Sequence, residues 1–142
     1  MKLIKTVLEN YKKINTFIIN NNNKVYGKIS FINKNNTTII NNLYIDPLYT
    51  NNGYASKLLK ETEFFGISNH ITRHSHNSKI LSHEFKLCVW EPTDKPHAVS
   101  FLKNRGYNIH SNNMTTYYDD GDRIFELIKM SKKITIDPVA KN

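Results

Sequence analysis

Residues 44–59 constrain the fold of this chain more than any other segment. They read Tyr-Ile-Asp-Pro-Leu-Tyr-Thr-Asn-Asn-Gly-Tyr-Ala-Ser-Lys-Leu-Leu, so an apolar strand stops at Pro47 and an amphipathic helix begins near Gly53. The first N–H groups of such a helix have no partner within it, and the positive end of its dipole favours an anion. A glycine there lets the backbone approach a ligand closely. The segment therefore predicts a binding site for a diphosphate.

The residues on either side of this turn predict a strand meander that leads into one helix. Three segments rich in β-branched and aromatic residues, separated by Asn-rich turns, predict strands at 16–20, 24–32 and 37–45. The period then changes, and residues 55–65 predict a helix. The positions that share one face of this helix are Ala55, Leu58, Leu59, Thr62 and Phe65.

The second half of the chain alternates strand and helix again. Residues 86–90 predict a buried strand, and residues 107–110 and 124–130 predict the last two strands. Between them, residues 96–105 predict a second helix, with Thr93 or Asp94 as its N-cap and Pro96 in its first turn. Gly106 follows, where a left-handed residue ends a helix.

Two polar stretches lie between these elements. Residues 66–85 predict a mobile surface insertion, because the alternative of a zinc site at His70 and His74 lacks a cysteine and has few carboxylates nearby. Residues 119–122, Asp-Asp-Gly-Asp, predict a solvated turn, because the ligand spacing of an EF-hand is missing. No metal is therefore predicted.

Length and composition limit the class of protein. With 142 residues, of which 39% are hydrophobic, one globular domain over residues 1–142 is expected. The formal charge of +8 suits an acidic partner, but the basic residues are scattered, which favours a solvated surface over a nucleic-acid footprint. The only cysteine, Cys88, lies in an apolar run, so a buried inert thiol is expected rather than a nucleophile. Without a disulfide, a secretory segment or a membrane span, an intracellular and cytoplasmic location is expected.

Two motifs and the order of the elements resemble the GNAT superfamily of N-acetyltransferases. Residues 45–47 (Ile-Asp-Pro) and 50–55 (Thr-Asn-Asn-Gly-Tyr-Ala) resemble the family's aliphatic-x-Pro followed by Arg/Gln-x-x-Gly-x-Gly/Ala. Residues 95–107 resemble its Asn-x-x-Ala-x-x-aromatic/Leu-Tyr-x-x-x-Gly-Phe helix. The resemblance implies an α/β (α+β) fold of the GNAT-like acyl-CoA N-acyltransferase type, a mixed and mostly antiparallel twisted sheet flanked by helices.

The resemblance also implies acetyl-CoA as the co-substrate. Its pantetheine arm is expected to lie along the end of the strand at 37–45 like an added strand, and its diphosphate to rest on the turn at 50–55. The predicted cofactor-binding residues are Leu43, Ile45, Thr50, Asn51, Asn52, Gly53, Tyr54, Ala55, Ser56 and Lys95. The second substrate is expected to be an amine on a small molecule or a protein.

The chemistry that the resemblance implies is direct attack of a neutral amine on the thioester in a ternary complex. Glu91 is the predicted base, with a strand-end surface charge as the alternative reading of this residue. Leu102 stands where the family commonly has a tyrosine acid, so a hydroxyl from Tyr107, Tyr117 or Tyr118 is expected, and Tyr118 is the prediction. Otherwise these tyrosines are packing residues and the thiolate leaves unaided.

Other departures keep a second function open. Thr50 replaces the family's Arg or Gln, and Lys95 replaces its Asn. Residues 1–23 leave little room for the one or two helices that in the family wall the acceptor site. The missing tyrosine at Leu102 and the short N-terminal region favour the alternative of a catalytically impaired CoA-binding or regulatory module. Residues 119–122 would attract a cationic acceptor, while the acceptor itself and the oligomeric state stay open.

Overall fold

The structure, a computed structural model, describes residues 2–9, 12–21, 23–73, 81–94, 98–110 and 116–137. Its strands are β1 (Lys2–Glu9), β2 (Lys12–Asn21), β3 (Lys24–Lys34), β4 (Thr37–Ile45), β5 (Leu81–Pro92), β6 (Asn108–Ile109), β7 (Thr116–Asp119) and β8 (Ile124–Ile136). The helices are α1 (Tyr54–Arg73) and α2 (Ala98–Lys103), and a 3₁₀ turn spans Pro47–Tyr49. Neither α1 nor α2, the two α-helices of this described part, has the apolar length that a membrane span requires.

The eight described strands form one mixed sheet. Their order is β1-β2-β3-β4-β5-β8-β6, and β7 also pairs with β8. All neighbours are antiparallel except β4 and β5, which run parallel and are connected through α1. Their ladder extends only to the pair Ile40 and Leu87, so the carboxyl-terminal halves of these two central strands are not paired with each other. The predicted mixed, mostly antiparallel sheet with flanking helices is confirmed.

Both helices pack on the same face of the sheet. Alternate residues of a strand point to opposite faces, so Phe85, Leu87 and Glu91 of β5 share one face. Gly66 of α1 lies against Phe85, and Glu91 bonds to the first residues of α2. Cys88 and Trp90 of β5 point the other way and are exposed. No helix of the described residues covers this second face, which we call the open face.

The core fills the space between the helices and the sheet. Leu58, Leu59 and Thr62 of α1 are almost completely buried, as their helical spacing predicts, and Phe65 packs edge-on to Phe17 and Phe31. The other large side chains that are fully buried come from β3, β5, β8 and the segment around α2: Ile29, Phe31, Phe85, Leu102, Tyr107 and Met130. The predicted helical stripe is therefore the side of α1 that holds it to the sheet.

The first strand of the sheet was not predicted. β1 pairs with β2 from Lys2 and Ile18 to Glu9 and Lys12, and only two residues separate the strands. A connection of this length cannot contain a helix. The one or two helices that family members usually carry between their first strands therefore do not fit between β1 and β2, in agreement with the expected shortage of room at residues 1–23.

The predicted insertion at 66–85 was wrong at both of its ends. α1 continues through Gly66 to Arg73, and β5 already begins at Leu81, so only residues 74–80, with His74 and His76, lie outside the described residues. His70 and His83 are 2% and 1% exposed. Polar composition misled the prediction, because these polar side chains are buried against one another.

A chain of hydrogen bonds satisfies the two buried histidines. His70 Nδ1 lies 2.8 Å from His83 Nδ1, and His83 Nε2 lies 2.7 Å from Thr38 Oγ1. The Thr38 hydroxyl donates its hydrogen to Asn33 Oδ1 at 2.6 Å, so His83 Nε2 must donate to Thr38. His83 Nδ1 then accepts from His70, which is the arrangement of a neutral His83. Across the described residues, no three His, Cys, Asp or Glu side chains group as a metal site.

We expect His83 to make the protein less stable in mild acid. Burial, followed by the charges of His70 and Arg73, lowers the pKa of His83 from 6.5 to about 4. The unfolded chain therefore takes up a proton below pH 6.5 that the folded protein does not, and stability present above that pH is lost as the pH falls toward 4. By pH 5 the loss from this group is about 2 kcal/mol.

Urea unfolding at several pH values measures this loss. His83→Gln keeps an N–H donor for Thr38 but has no titrating group, so its stability should fall less between pH 6.5 and 5 than that of the wild type. If the free energy of unfolding falls equally with pH in the two proteins, His83 is not the titrating group.

Candidate functional site

The turn between β4 and α1 holds its conformation through its own hydrogen bonds. Asp46 Oδ1 accepts from Leu48 N at 2.9 Å, which closes the 3₁₀ turn. Asn51 and Gly53 then adopt left-handed conformations, with φ of 67° and 76°, and lead the chain into α1. The first bond of the helix runs from Lys57 N to Gly53 O at 3.0 Å. The N–H groups of the three residues between Gly53 and Lys57 therefore have no acceptor within the helix and face the turn.

An arginine that was not predicted lies beside the first turn of α1. Arg105 Nε donates to Ser56 Oγ at 3.2 Å, and Arg105 Nη1 donates to the Phe101 carbonyl at 3.0 Å. Its guanidinium carbon lies 3.8 Å from the centre of the Phe101 ring. These three contacts fix a positive charge next to the helix N-terminus. In sequence, Arg105 was visible only as a periodic position of the second helix, because nothing local indicates that α2 ends beside α1.

A cavity of about 310 Å³ adjoins this arginine between α1, the end of α2 and β8. Its polar lining includes Ser56, Lys60, Arg105 and Lys132. Lys132 Nζ pairs with Glu63 Oε1 at 3.0 Å, so part of the positive charge is already balanced. Arg105 and the start of α1 remain the positively charged side of this cavity.

Beyond Ile40 and Leu87, the unpaired halves of β4 and β5 enclose a cleft of about 330 Å³. Three consecutive residues of each strand line it, and α2 closes its end. The lining residues beyond the paired segment are Asn41, Asn42, Leu43, Cys88, Val89, Trp90, Ala98, Phe101 and Leu102. β4 bonds to β3 on its other side, so its edge toward β5 can offer main-chain groups to an extended ligand.

The predicted cofactor residues divide between these two places. Leu43 lines the cleft, whereas Ile45 packs against the core and its Cδ1 approaches Gly27. The residues predicted to hold the diphosphate form the turn and the first residues of α1, beyond the carboxyl end of β4. Lys95 lies outside the described residues.

Cys88 lies at the surface, and the prediction of a buried thiol was wrong. It is exposed and lines the cleft. The apolar run that contains it is a strand whose residues alternate between two faces, so Leu87 faces the core while Cys88 and Trp90 point to the open face. An apolar run in a sheet covered on one side does not bury every member.

Glu91 is bound to the start of α2. Glu91 Oε1 accepts from Ala98 N at 2.9 Å and Glu91 Oε2 accepts from Val99 N at 2.7 Å. The residue is 4% exposed, so the alternative reading as a strand-end surface charge is wrong. A carboxylate here satisfies unpaired amide groups and complements the helix dipole. The role of Glu91 as a base stays a prediction.

The three candidate tyrosines lie in different surroundings. Tyr118 of β7 is exposed, with its ring centre 6.0 Å from that of Trp90, which lines the cleft. Tyr117, next to it on the strand, is also exposed. Tyr107 is fully buried and donates to Glu63 Oε2 at 2.8 Å. Burial, with the charge of Glu63, raises the pKa of Tyr107 far above its usual range, which makes it a poor acid.

The family of the chain follows from a sequence comparison. The model of the acetyltransferase (GNAT) family matches residues 3–80, which is more than half of the 142 residues. The chain belongs to the GNAT family. This match ends before the second motif at 95–107, so that part of the GNAT resemblance rests on the motif and on the position of α2. A sequence search of curated proteins finds no match.

Solved structures of GNAT proteins share the fold. An acetyltransferase from Bacillus cereus ATCC 14579 superposes with a TM-score of 0.62 at 16% identity, over 89% of this chain and 77% of that one. The ribosomal-protein-S18-alanine N-acetyltransferase from Escherichia coli superposes with a TM-score of 0.62 at 18% identity, over 89% of this chain and 73% of that one. A GNAT acetyltransferase from Elizabethkingia anophelis with acetyl-CoA bound superposes with a TM-score of 0.58 at 13% identity, over 87% of this chain and 76% of that one. At these identities the likeness shows the GNAT fold.

Proposed function

We propose that this GNAT protein transfers an acetyl group from acetyl-CoA to an amine. The observation that carries the proposal is the separation of β4 and β5 after Ile40 and Leu87, next to the N-terminus of α1. This places a narrow cleft with an unpaired strand edge beside a positively polarised turn. The bound acetyl-CoA of the Elizabethkingia protein supports the same ligand here.

The two halves of the site suit the two halves of the coenzyme. The pantetheine arm, which carries amide groups, would bond to the edge of β4 near Asn41 and Leu43 in the cleft. The diphosphate would accept hydrogen bonds from the amides at the start of α1. Arg105 would supply a cationic contact in place of the side-chain contact that the family's Arg or Gln makes from the position of Thr50.

The reaction requires few protein groups. A neutral amine attacks the thioester carbonyl, and a main-chain N–H of the unpaired β4 edge stabilises the oxyanion. The nitrogen then loses a proton to water, the C–S bond breaks, and the thiolate leaves. A thiol with a pKa of about 8.5 departs without an acid at moderate rates, which suits a chain with Leu102 in the usual tyrosine position. Tyr118 is the proposed proton donor where one is needed, because it lies beside the cleft residue Trp90.

A second candidate is a CoA-binding module without turnover. Two observations favour it: Leu102 is buried where the family has its acid, and no helix fits between β1 and β2 to wall the acceptor. Thermal shift with acetyl-CoA, followed by thiol release with a panel of amines, separates the candidates. Binding without thiol release would select the module.

We place the reaction inside the cell, which the single cysteine without a disulfide supports.

A matched pair of variants at Gly53 tests the coenzyme site. Asn and Asp both tolerate the left-handed conformation of this residue, and a Cβ built there meets no atom within 4 Å. The two side chains have nearly the same shape and differ in charge. Gly53→Asp should bind acetyl-CoA at least about tenfold more weakly than Gly53→Asn, because a carboxylate repels the diphosphate at short range.

Calorimetric titration with acetyl-CoA measures this difference, and it should shrink as salt is added. Thermal unfolding without ligand serves as the control that both variants fold equally well. Equal affinities of the two variants at low salt would show that the diphosphate does not rest on this turn.

A further inference from the structure

We propose that the acceptor amine binds in a cavity on the open face and carries an anionic group, a carboxylate or a phosphate, beside its nitrogen. This inference rests on the proposed acetyl transfer and names the class of its second substrate. The cavity has a volume of about 460 Å³, which suits a small molecule or the end of a peptide. Its side-chain lining on the open face comprises Ile39, Asn41, Lys86, Cys88, His110 and Lys129, and we call it the basic cavity.

The basic cavity meets the coenzyme cleft where β4 and β5 separate. Both are lined by Ile40 and Asn41 of β4 and by Leu87 and Cys88 of β5. A thioester at the inner end of the cleft would therefore face the basic cavity through the gap between the two strands. An amine held in the cavity reaches the acetyl group from the side opposite the pantetheine arm, as attack in a ternary complex requires.

Two lysines give the basic cavity its charge. Cys88 lies directly opposite Lys129 in the β5–β8 ladder, and Lys86 lies two residues away on the same face of β5. Directly opposite residues have Cα atoms about 5 Å apart, so both ammonium groups can reach a ligand beside Cys88. His110 adds an imidazole ring to the lining, and such a ring carries at least one N–H group.

The described lining of the basic cavity contains no Asp or Glu. Glu84 pairs with Lys86 at 3.5 Å, with the two side chains 24% and 46% exposed, and an exposed pair of this kind is worth little. The acidic turn at residues 119–122 precedes Ile124, which is five residues from Lys129 along β8 and thus about 17 Å away. The local field therefore favours an anionic acceptor and disfavours a polycation such as a polyamine.

The single cysteine allows the charge of the basic cavity to be measured without any turnover. Iodoacetate and iodoacetamide alkylate the same thiolate, so the ratio of their rates at Cys88 cancels the thiolate fraction and reports the local potential. Lys129→Gln and Lys86→Gln should each lower the iodoacetate-to-iodoacetamide ratio by about threefold. Lys103→Gln, an equal charge change at an exposed position of α2, should leave it unchanged. Equal ratios in all four proteins would overturn the proposal.

Protection of Cys88 from iodoacetamide then tests the ligand class. With desulfo-CoA present, which has no thiol to consume the reagent, glutamate and phosphoethanolamine should slow alkylation relative to desulfo-CoA alone, while spermidine should not. Intact-protein mass spectrometry follows the single adduct. Acetylation of the protecting amine by acetyl-CoA supports both proposals. Protection without acetylation supports the cavity and contradicts the acetyl transfer. Acetylation of spermidine, or protection by none of the three amines, overturns the inference about the acceptor.

Discussion

Replacing Gly66 by alanine should destabilise the protein by about 3 to 4 kcal/mol, although the same change in an exposed helix is stabilising by about 1 kcal/mol. A Cβ at Gly66 would lie 2.5 Å from Thr38 Oγ1 and 2.9 Å from Phe85 Cε1. Thr38 has a stiff branched side chain that is hydrogen-bonded, and Phe85 is fully buried. Neither can yield, so α1 must move away from β4 and β5.

Urea unfolding near neutral pH measures this effect. Glu61→Ala, an exposed position of the same helix, is the matched control and should stay within about 0.5 kcal/mol of the wild type. Gly66→Ala should also weaken the His83 hydrogen bond to Thr38, because the added methyl group lies 3.4 Å from His83 Nε2. A Gly66→Ala protein as stable as the Glu61→Ala control would show that α1 does not approach the sheet this closely.

Replacing Glu91 by alanine should lower stability by about 3 kcal/mol. The buried carboxylate accepts two charge-assisted hydrogen bonds from the first amides of α2, and each such bond contributes about 1.5 to 3 kcal/mol. Without it, the N–H groups of Ala98 and Val99 lose their acceptor. Since α2 closes the end of the cleft, acetyl-CoA affinity should fall together with the melting temperature.

Glu91→Gln separates the structural role from the predicted catalytic one. Glutamine keeps one acceptor oxygen, so a pure cap predicts a stability between those of Glu91→Ala and the wild type. A general base predicts instead that kcat collapses in Glu91→Gln while the melting temperature barely changes. If Glu91→Ala has the same melting temperature as the wild type, the stabilising role predicted for Glu91 is wrong.

Several parts of the fold could be predicted from the sequence because they depend on residues that are neighbours in the chain. Pro47 and Gly53 mark where β4 ends and α1 begins, and the 3.6-residue period of Leu58, Leu59 and Thr62 identified the buried side of α1. Gly106 was expected to be left-handed and has a φ of 92°. Its neighbour Tyr107 bonds to the Leu102 carbonyl at 3.1 Å and closes α2.

The candidate site could be predicted only in part, because some of its contacts join residues that are far apart in the chain. The turn at Gly53 is local, so its amides were found, but Arg105 reaches it across a gap of 49 residues to Ser56. The two faces of β5 depend on which side the helices cover, so Cys88 was misplaced as a buried thiol. The alternative reading of Glu91 as a surface charge was wrong because α2, whose position no local pattern of β5 indicates, buries this residue.

By itself, the sequence determined where β3, β4 and α1 start, which side of α1 is apolar, and the motif that resembles the family, since these follow from spacing and backbone preference over a few residues. Only the tertiary structure decided the pairing of β1 with β2, the burial of His70 against His83, and the basic cavity around Cys88. Each of these joins segments from different elements. The free energy of such contacts comes from which side chains meet after folding, and no local pattern specifies that.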